Sequence, residues 1–191
     1  MRAPQEQFVL SRLPSPIGVL LVATDAEARL RVLDFADYEE RMYRLMRRRY
    51  GADGVRLTDG PAPASIREPI AAYFDGALTA IDAIPTKTAG TPFQLDAWAA
   101  LRAIPAGQIS SYGAQAVRIG RPAAVRAVGL ANGANPIGIV VPCHRVIGAN
   151  ASLTGYGGGV ERKRWLLAHE GVEIAETTGL ARRQGELALQ P

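Results

Sequence analysis

The sequence contains few of the residues from which disulfide bonds and metal sites are built. Its single cysteine, Cys143, excludes an internal disulfide framework. The two histidines, His144 and His169, bring the thiolate and imidazole ligands to three at most, whereas a structural zinc site usually has four. We therefore predict no metal, and no residue pattern predicts a cofactor.

Long apolar runs are also missing. No stretch approaches the roughly 20 apolar residues of a membrane-spanning helix, and residues 1–8 carry charged and amide side chains instead of an apolar signal region. An apolar content of 48% is typical of a folded globular chain. The 191 residues fit one large domain or two small ones. We expect a cytoplasmic protein that does not enter a membrane.

Acidic residues are absent from residues 97–160, and the whole basic surplus of the chain, a net charge of +4, lies in residues 90–191. An acid-free segment that carries arginines fits an anionic partner such as nucleic acid. A buried, uncharged core with scattered solubilising arginines gives the same pattern. Charge alone leaves both interpretations open.

The first part of the chain predicts an α/β domain, residues 1–86, followed by a linker at residues 87–91. The basic end of its first helix complements the helix dipole, and a nucleic-acid patch is the alternative interpretation. Residues 51–64 have the composition of a loop. The predicted strands are Phe8–Leu13, Gly18–Ala23 and Leu30–Phe35, and the predicted helices are Tyr38–Tyr50 and Ile66–Tyr73.

The second part begins with a helix-start signal, Thr91 as N-cap before Pro92. A short helix at residues 113–119, a break at Gly120 and a second helix at residues 122–132 then predict a helix-turn-helix. The second helix is rich in small side chains, which let its backbone approach another helix or a nucleic-acid groove closely. Gln115 on the first of these helices occupies a position where we expect an apolar residue.

Cys143 follows a predicted strand, residues 137–141, that Pro142 ends. An adjacent histidine and arginine favour the thiolate, which is the nucleophilic form of cysteine. The alternative is a buried, inert thiol, the commonest state of a free cysteine. Because neighbouring residues of a strand point to opposite faces, His144 can serve Cys143 only if the backbone turns there or a water relays the proton.

A glycine-rich run, residues 154–159, comes next and lacks the Gly-Lys-Ser/Thr ending of a nucleotide-binding loop. It better fits backbone amides that reach a planar ligand, with Tyr156 available to stack, although a flexible connector is the alternative. The predicted helix at residues 160–170 has Arg162, Lys163 and Arg164 near its start and Glu170 at its end. Both placements oppose the helix dipole, at a cost of roughly 0.3–1 kcal/mol each when exposed. A glutamate that orients a histidine would compensate for this.

These segments together resemble the O6-alkylguanine-DNA alkyltransferases, most closely those of the bacterial Ogt type. The resemblance is dense over residues 91–171 and looser before them. It implies a ribonuclease-H-like α/β N-terminal domain and a mainly helical, winged-helix-like C-terminal domain at residues 92–175, with residues 176–191 as a tail. The segments that carry it include Pro142-Cys-His-Arg-Val146, Thr154-Gly-Tyr-Gly-Gly, Arg121–Gly129, Asn135-Pro136 and Lys163–Gly171.

The resemblance implies direct reversal of DNA damage. The protein would bind double-stranded DNA through the minor groove, as a monomer, and flip out an O6-alkylguanine, with O4-alkylthymine as a second candidate substrate. The alkyl group would pass irreversibly to Cys143, so that each molecule acts once. His144 would act through water as the base, and Glu170 would hold His144 in the useful tautomer.

Further roles follow from the resemblance. Asn135 would brace the turn that carries Cys143, and Lys163 would lie near the thiol, although a lysine on the helix surface is the simpler alternative. Arg126 would enter the vacated base stack, and Tyr112 would contact the flipped nucleotide. The other implied DNA-binding residues are Arg121, Ala123, Ala127 and Gly129, and the implied pocket residues are Tyr156, Gly157, Val146 and Gly138.

The sequence departs from the family pattern in three ways. The extra cysteines and histidines of metal-bearing members are absent, so zinc is not implied. Gly157 stands where many members have serine or alanine, and Gly138 where some have proline. We expect both glycines to widen the pocket and admit larger alkyl groups.

Three other functions are compatible with parts of the pattern. A lesion-recognition protein without alkyl transfer would lack the cysteine, and a helix-turn-helix regulator would need no reactive thiol. A cysteine hydrolase would need direct contact between two side chains that are adjacent in sequence. The alkyltransferase interpretation is favoured over all three.

Overall fold

The computed structural model describes residues 5–153, 155–174 and 181–182, so most of the predicted tail at residues 176–191 lies outside the described residues. No helix in this part of the chain is long and apolar enough to cross a membrane. The strands are β1 (Glu6–Leu13), β2 (Leu20–Thr24), β3 (Leu30–Phe35), β4 (Val55–Asp59), β5 (Ser110–Ser111), β6 (Val146–Ile147), β7 (Glu173–Ile174) and β8 (Ala181–Arg182). The α-helices are α1 (Glu39–Tyr50), α2 (Ala64–Phe74), α3 (Pro92–Arg102), α4 (Tyr112–Arg118), α5 (Val125–Gly133) and α6 (Val160–His169).

The N-terminal half is built on a four-stranded sheet of order β3-β2-β1-β4. β1 pairs antiparallel with β2 and parallel with β4, and β2 pairs antiparallel with β3. The three predicted strands and two predicted helices are therefore present. β4 is an addition, because residues 51–64 were predicted to be a loop. It is a half-exposed edge strand whose conformation is fixed by pairing with β1 rather than by an apolar pattern of its own.

The two faces of this sheet pack against different partners. One face carries Phe8 and Leu21, which pack against Met42 and Met46 of α1. The opposite face joins a larger core that contains α2 and much of the C-terminal half. One hydrophobic core therefore spans both halves of the chain, and its burial holds them together.

The predicted linker begins as part of the sheet. Thr86 bridges Leu30, and the Lys87 amide donates to the Leu30 carbonyl at 3.0 Å. The C-terminal half also returns to the sheet, because Ile137 bridges Leu33. The domain boundaries at residues 86 and 92 stay a prediction.

The helical half follows the predicted signals at its start. The Thr91 hydroxyl accepts a hydrogen bond from the Gln94 amide, and the Gln94 side chain accepts one from the Thr91 amide, which together form a capping box. α4 and α5 form the predicted helical pair. α5 begins at Val125 rather than at residue 122, because residues 121–124 form a turn in which the Ala124 amide donates to the Arg121 carbonyl.

Gln115 is explained by its partners. Its amide group is buried, and it exchanges hydrogen bonds of 2.7 and 3.1 Å with the amide of Asn132 on α5. The Gln115 Nε2 atom also donates to the Ala97 carbonyl of α3 at 2.9 Å. A buried amide pair whose members satisfy each other fixes the packing of three helices, which an apolar residue would not do.

The prediction of a strand at residues 137–141 is wrong. Only Ile137 bridges the sheet, and the following residues form a tight turn in which Ile139 has a left-handed φ of 67°. The run is apolar because it is buried on all sides at the junction of the two halves, not because it alternates across a sheet. Cys143 then lies in a single 3-10 turn, Cys143–Arg145, so the opposite-faces argument does not apply to its neighbour.

Candidate active site

Cys143 lines a pocket of about 330 Å³ between the helical pair and the glycine-rich run. A pocket of this size lies at the lower end of the range for small-molecule sites. The side chain of Cys143 is partly exposed. The other lining residues are Tyr112, Gly129, Asn132, Gly133, Gly155, Tyr156 and Gly157.

Asn135 holds the turn that carries the thiol. Its Nδ2 atom lies 3.3 Å from Cys143 Sγ and donates to the Val141 carbonyl at 2.7 Å, while its Oδ1 atom accepts from the Ile137 amide at 3.0 Å. Asn135 is itself buried. One side chain therefore satisfies both ends of the tight turn and contacts the sulfur, as the predicted bracing role requires.

The pKa of the Cys143 thiol is raised, because burial outweighs the hydrogen bond from Asn135 and the charges of Arg41 and Lys163, which lower it. The resting group is therefore a thiol. The positive charges that favour the thiolate are not those of the sequence neighbours. Arg145 is engaged elsewhere in an ion pair, and His144 lies with Glu170.

His144, the neighbour of Cys143 in sequence, forms a buried pair with Glu170. His144 Nε2 lies 3.0 Å from Glu170 Oε1, and Arg145 donates to both oxygens of the same carboxylate at 2.8 and 2.9 Å. Burial alone would raise the pKa of Glu170, but its interactions with His144 and Arg145 hold that pKa well below its usual range. The carboxylate is ionised, and it can act only as an acceptor.

The ionised carboxylate decides the tautomer of His144. Burial lowers the pKa of His144 despite the favourable charge of Glu170, so the imidazole is neutral. Its Nε2–H donates to Glu170, which leaves Nδ1 as the unprotonated nitrogen. Among the described residues, His144 Nδ1 is a buried atom without a hydrogen-bond partner. A neutral imidazole with a free lone pair is the form that a proton acceptor needs.

Lys163 is fully buried, so the surface alternative is wrong. Its Nζ atom donates to the Val146 carbonyl at 2.6 Å. Burial lowers the pKa of Lys163 to about 8, against the opposing effect of Cys143. Two of the charges that oppose the dipole of α6, Lys163 in its first turn and Glu170 directly after its end, thus interact with Cys143 and His144 respectively.

Of the four predicted pocket residues, Tyr156 and Gly157 line the pocket, whereas Val146 and Gly138 do not. Tyr156 lines the pocket, and its buried hydroxyl has no hydrogen-bond partner among the described residues. Val146 and Gly138 lie behind the lining: Val146 is fully buried, and a Cβ at Gly138 would lie 3.3 Å from the Leu33 carbonyl oxygen. Neither residue opens the pocket.

Gly157 does not enlarge the pocket either. A Cβ at this position would lie 2.5 Å from Nη2 and 2.6 Å from Cζ of Arg41. The guanidinium of α1 therefore already fills the space that the missing side chain leaves. This corrects the expectation that Gly157 widens the pocket.

The face of the helical pair beside the pocket is exposed and free of acidic residues. Gly129 of α5 lines the pocket, and a Cβ there would lie 3.9 Å from the ring of Tyr112. Leu130, with 77% of its surface exposed, is a large apolar residue on this face that the sequence reasoning missed. The predicted DNA-binding residues on exposed positions are Arg121, Ala123, Arg126 and Ala127.

Three residues of the N-terminal half reach the site and were not predicted. Tyr73 donates its hydroxyl to Glu170 Oε1 at 2.8 Å. Arg41 and Arg49 of α1 donate to backbone carbonyls at the end of α5. No local pattern distinguishes these residues from ordinary core or surface positions of amphipathic helices. A metal site is not evident: the described residues contain no group of three or more His, Cys, Asp or Glu side chains that could hold an ion.

Two family models match the chain. The ribonuclease-like domain of 6-O-methylguanine DNA methyltransferase matches residues 9–88, and the DNA-binding domain of the same family matches residues 92–172. The chain belongs to the 6-O-methylguanine DNA methyltransferase family. This membership confirms the predicted architecture of this methyltransferase, an α/β domain followed by a DNA-binding domain. It also favours a DNA-repair alkyltransferase over a regulatory protein.

Named relatives and solved structures agree with the family models. The methylated-DNA–protein-cysteine methyltransferase of Salmonella typhimurium is 51% identical over 160 residues, which cover 84% of this chain and 94% of the relative. That of Mycolicibacterium paratuberculosis is 52% identical over 159 residues, covering 82% and 88%. The crystal structure of the Mycobacterium tuberculosis O6-methylguanine methyltransferase matches with a TM-score of 0.69 at 40% identity and covers 85% of this chain and 92% of its own. A structure of the mycobacterial protein in complex with DNA matches with the same TM-score at 39% identity and the same coverage.

Proposed function

We propose that this methyltransferase repairs O6-alkylguanine in double-stranded DNA by moving the alkyl group to Cys143 Sγ, once per molecule. The observation that carries the proposal is the position of Sγ. It lies in a pocket bordered by α5, against the Asn135 amide, and the neutral imidazole of the adjacent residue lies behind it. The named relatives act on methylated DNA and on a protein cysteine, which is the same pair of reactants.

The reaction we infer starts from a protonated thiol. A water molecule passes the proton of Cys143 to Nδ1 of His144, and the resulting imidazolium is stabilised by the Glu170 carboxylate. The sulfur then attacks the alkyl carbon, the S–C bond forms, and the bond from that carbon to O6 breaks. The electron pair stays on O6, and the base becomes guanine once a proton is returned. The thioether has no good leaving group, so the protein is consumed.

DNA would be held by the exposed face of the helical pair. The small residues Ala123 and Ala127 would let the backbone of this face approach the floor of the minor groove. The exposed arginines of the same face would neutralise DNA phosphates. Arg126 would fill the space that the flipped base leaves, because its planar guanidinium can stack between bases. Flipping costs a few kcal/mol, and less for a damaged pair.

The pocket wall would recognise the flipped base. Tyr112 of α4 and Tyr156 of the glycine-rich run both line the pocket, as does Gly157. O4-alkylthymine is a second substrate candidate, and we propose that the protein acts as a monomer. A cytoplasmic location is part of the proposal, supported by the DNA substrate of the relatives.

The test is the mass of the protein and of its Cys143 peptide after incubation with a duplex that contains one O6-methylguanine. We expect one methyl group per protein, located on Cys143. Cys143→Ser should abolish the transfer and leave DNA binding intact. Tight binding of the duplex without any methyl transfer would overturn the proposal in favour of a lesion-recognition protein.

A further inference from the structure

The guanidinium of Arg41 crosses from the N-terminal half into the active-site region. Its Nη1 atom pairs with Asp34 of β3, which is buried. Its Nη2 atom donates to the Gly133 carbonyl at 3.0 Å and to the Asn135 carbonyl at 3.1 Å. Arg41 is thus anchored on the sheet by one nitrogen and on the end of α5 by the other.

The carbonyls that Arg41 binds flank the residue that contacts the sulfur. Gly133 is the last residue of α5, and Asn135 supplies the amide that lies 3.3 Å from Cys143 Sγ. Arg49, two turns further along α1, donates to the intervening Ala134 carbonyl at 3.0 Å. Two cations of one helix therefore hold three successive carbonyls at the negative end of α5, where positive charge is stabilising.

The missing side chain of Gly157 leaves room for the same guanidinium. A Cβ there would lie within 2.9 Å of Nη2, Cζ and Nε of Arg41, closer than real Cβ atoms approach. The Arg41 side chain cannot simply swing away, because each of its terminal nitrogens is already engaged in the contacts described above. A side chain at position 157 would break some of those contacts.

We propose that Arg41 is a positioning residue for alkyl transfer, which holds Asn135 against Cys143 Sγ, and that Gly157 is needed to leave it room. The proposal rests on Cys143 as the alkyl acceptor. Cys143 also interacts electrostatically with two other titratable groups, Lys163 and Tyr156, and these are unchanged in the variants below. The charge of Arg41 lowers the pKa of Cys143, which is the direction that a supporting role requires.

The first experiment measures the reactivity of the thiol without DNA. The rate of Cys143 alkylation by iodoacetamide is followed against pH in the full-length protein, in Arg41→Gln and in Arg44→Gln. Arg44 is the matched control, because it lies on α1 with an exposed side chain. We expect the midpoint of the pH profile to rise by about half a pH unit or more in Arg41→Gln only. Equal midpoints in the two variants would overturn the proposal.

The second experiment measures methyl transfer under single-turnover conditions at saturating duplex. Arg41→Gln should slow transfer about tenfold, the effect of roughly one lost hydrogen bond, with DNA affinity changed less than about twofold. Arg41→Lys keeps the charge and should recover part of the rate. A loss of affinity that accounts for the whole effect would contradict a positioning role.

A double-mutant cycle tests the pairing with Gly157. Gly157→Ala should slow transfer by displacing Arg41, and it should have little further effect in the Arg41→Gln background. Rate losses that multiply would show that the two residues act independently and would overturn the pairing. If the wild-type protein transfers no methyl group at all, the proposed function fails, whereas the iodoacetamide profiles still decide the role of Arg41.

Discussion

Replacing Tyr73 with phenylalanine removes one hydrogen-bond donor from the buried pair of His144 and Glu170. The Tyr73 hydroxyl is one of four donors to the Glu170 carboxylate, at 2.8 Å from Oε1, and both side chains are buried. A hydrogen bond to a charged group contributes ~1.5–3 kcal/mol. Because three donors remain, we expect Tyr73→Phe to lower the free energy of unfolding by about 1.5 kcal/mol, the lower end of that range. For a chain of this size each kcal/mol lowers Tm by roughly 2–4 °C.

The effect of this substitution should depend on pH in a direction that the site dictates. The pKa of Glu170 is depressed in the folded state, so its ionised form contributes stability above the unfolded pKa, which is lost as pH falls towards the folded pKa. Tyr73 donates to that ionised form, and burial raises the pKa of its own phenol, so it remains a donor across the neutral range. The stability difference between wild type and Tyr73→Phe should therefore be nearly constant from neutral to mildly acidic pH, and it should shrink only as pH falls to the depressed pKa at which folded Glu170 is protonated.

The assay is thermal and denaturant unfolding of both proteins from pH 3.5 to 8, together with single-turnover methyl transfer at pH 7.5. Loss of one donor concentrates the negative charge of the carboxylate towards His144, which raises the basicity of the imidazole. Transfer should therefore persist in the variant, within about threefold of wild type. An unchanged Tm at neutral pH, or a stability difference that grows on acidification, would refute the assignment of Tyr73 as a donor to an ionised Glu170.

Three further predictions concern other parts of the molecule. Between about pH 8 and 10 the unfolded chain holds more protons on Lys163 than the folded chain does, so the contribution of Lys163 to stability should rise with pH there by roughly 3 kcal/mol at most, against the opposing contribution of Cys143, and Lys163→Met should remove the rising part in an unfolding titration. Gln115→Leu leaves the buried amide of Asn132 unpaired, so unfolding should become easier by ~1–3 kcal/mol and duplex affinity should fall in a binding titration. Arg126→Ala should slow transfer from a duplex much more than transfer from free O6-benzylguanine, which needs no base flipping, and equal losses on both substrates would contradict its assigned position.

The sequence carried strong local signals for the helical half and for part of the site. The capping residues at Thr91 and Gln94 form the predicted helix start, because a cap is decided by residues three apart. The conflict between Glu170 and the dipole of α6 predicted a partner for that carboxylate, and the partner is His144. Both predictions depend on the free energy of an interaction within a single helix turn: a cap at the helix start, and a carboxylate at the helix end.

Where the prediction failed, the deciding contacts come from distant parts of the chain. β4 is a strand because β1 pairs with it, not because its own residues alternate. The apolar run at residues 137–141 has the composition of a strand, but packing at the junction between the halves bends it into a turn with Ile139 at positive φ. Tyr73 and Arg41 lie on ordinary amphipathic helices, and only the docking of the two halves gives them their partners.

Buried charged residues are concentrated at the junction of the two halves, and this indicates that the N-terminal half supports the candidate site. Buried ion pairs seldom stabilise a fold more than apolar residues of the same volume would, yet Asp34, Arg41, Arg145, Lys163 and Glu170 are all largely removed from water near Cys143. The free-energy cost of removing these charges from water is offset only while each charged side chain keeps its hydrogen-bond and ion-pair partners. Two of those partners, Tyr73 and Arg41, come from the N-terminal half, so separating the halves would take a donor from Glu170 and release the carbonyl of Asn135. The ribonuclease-like half thus supports the candidate site from outside the pocket, because it supplies hydrogen-bond donors to Glu170 and to the Asn135 carbonyl.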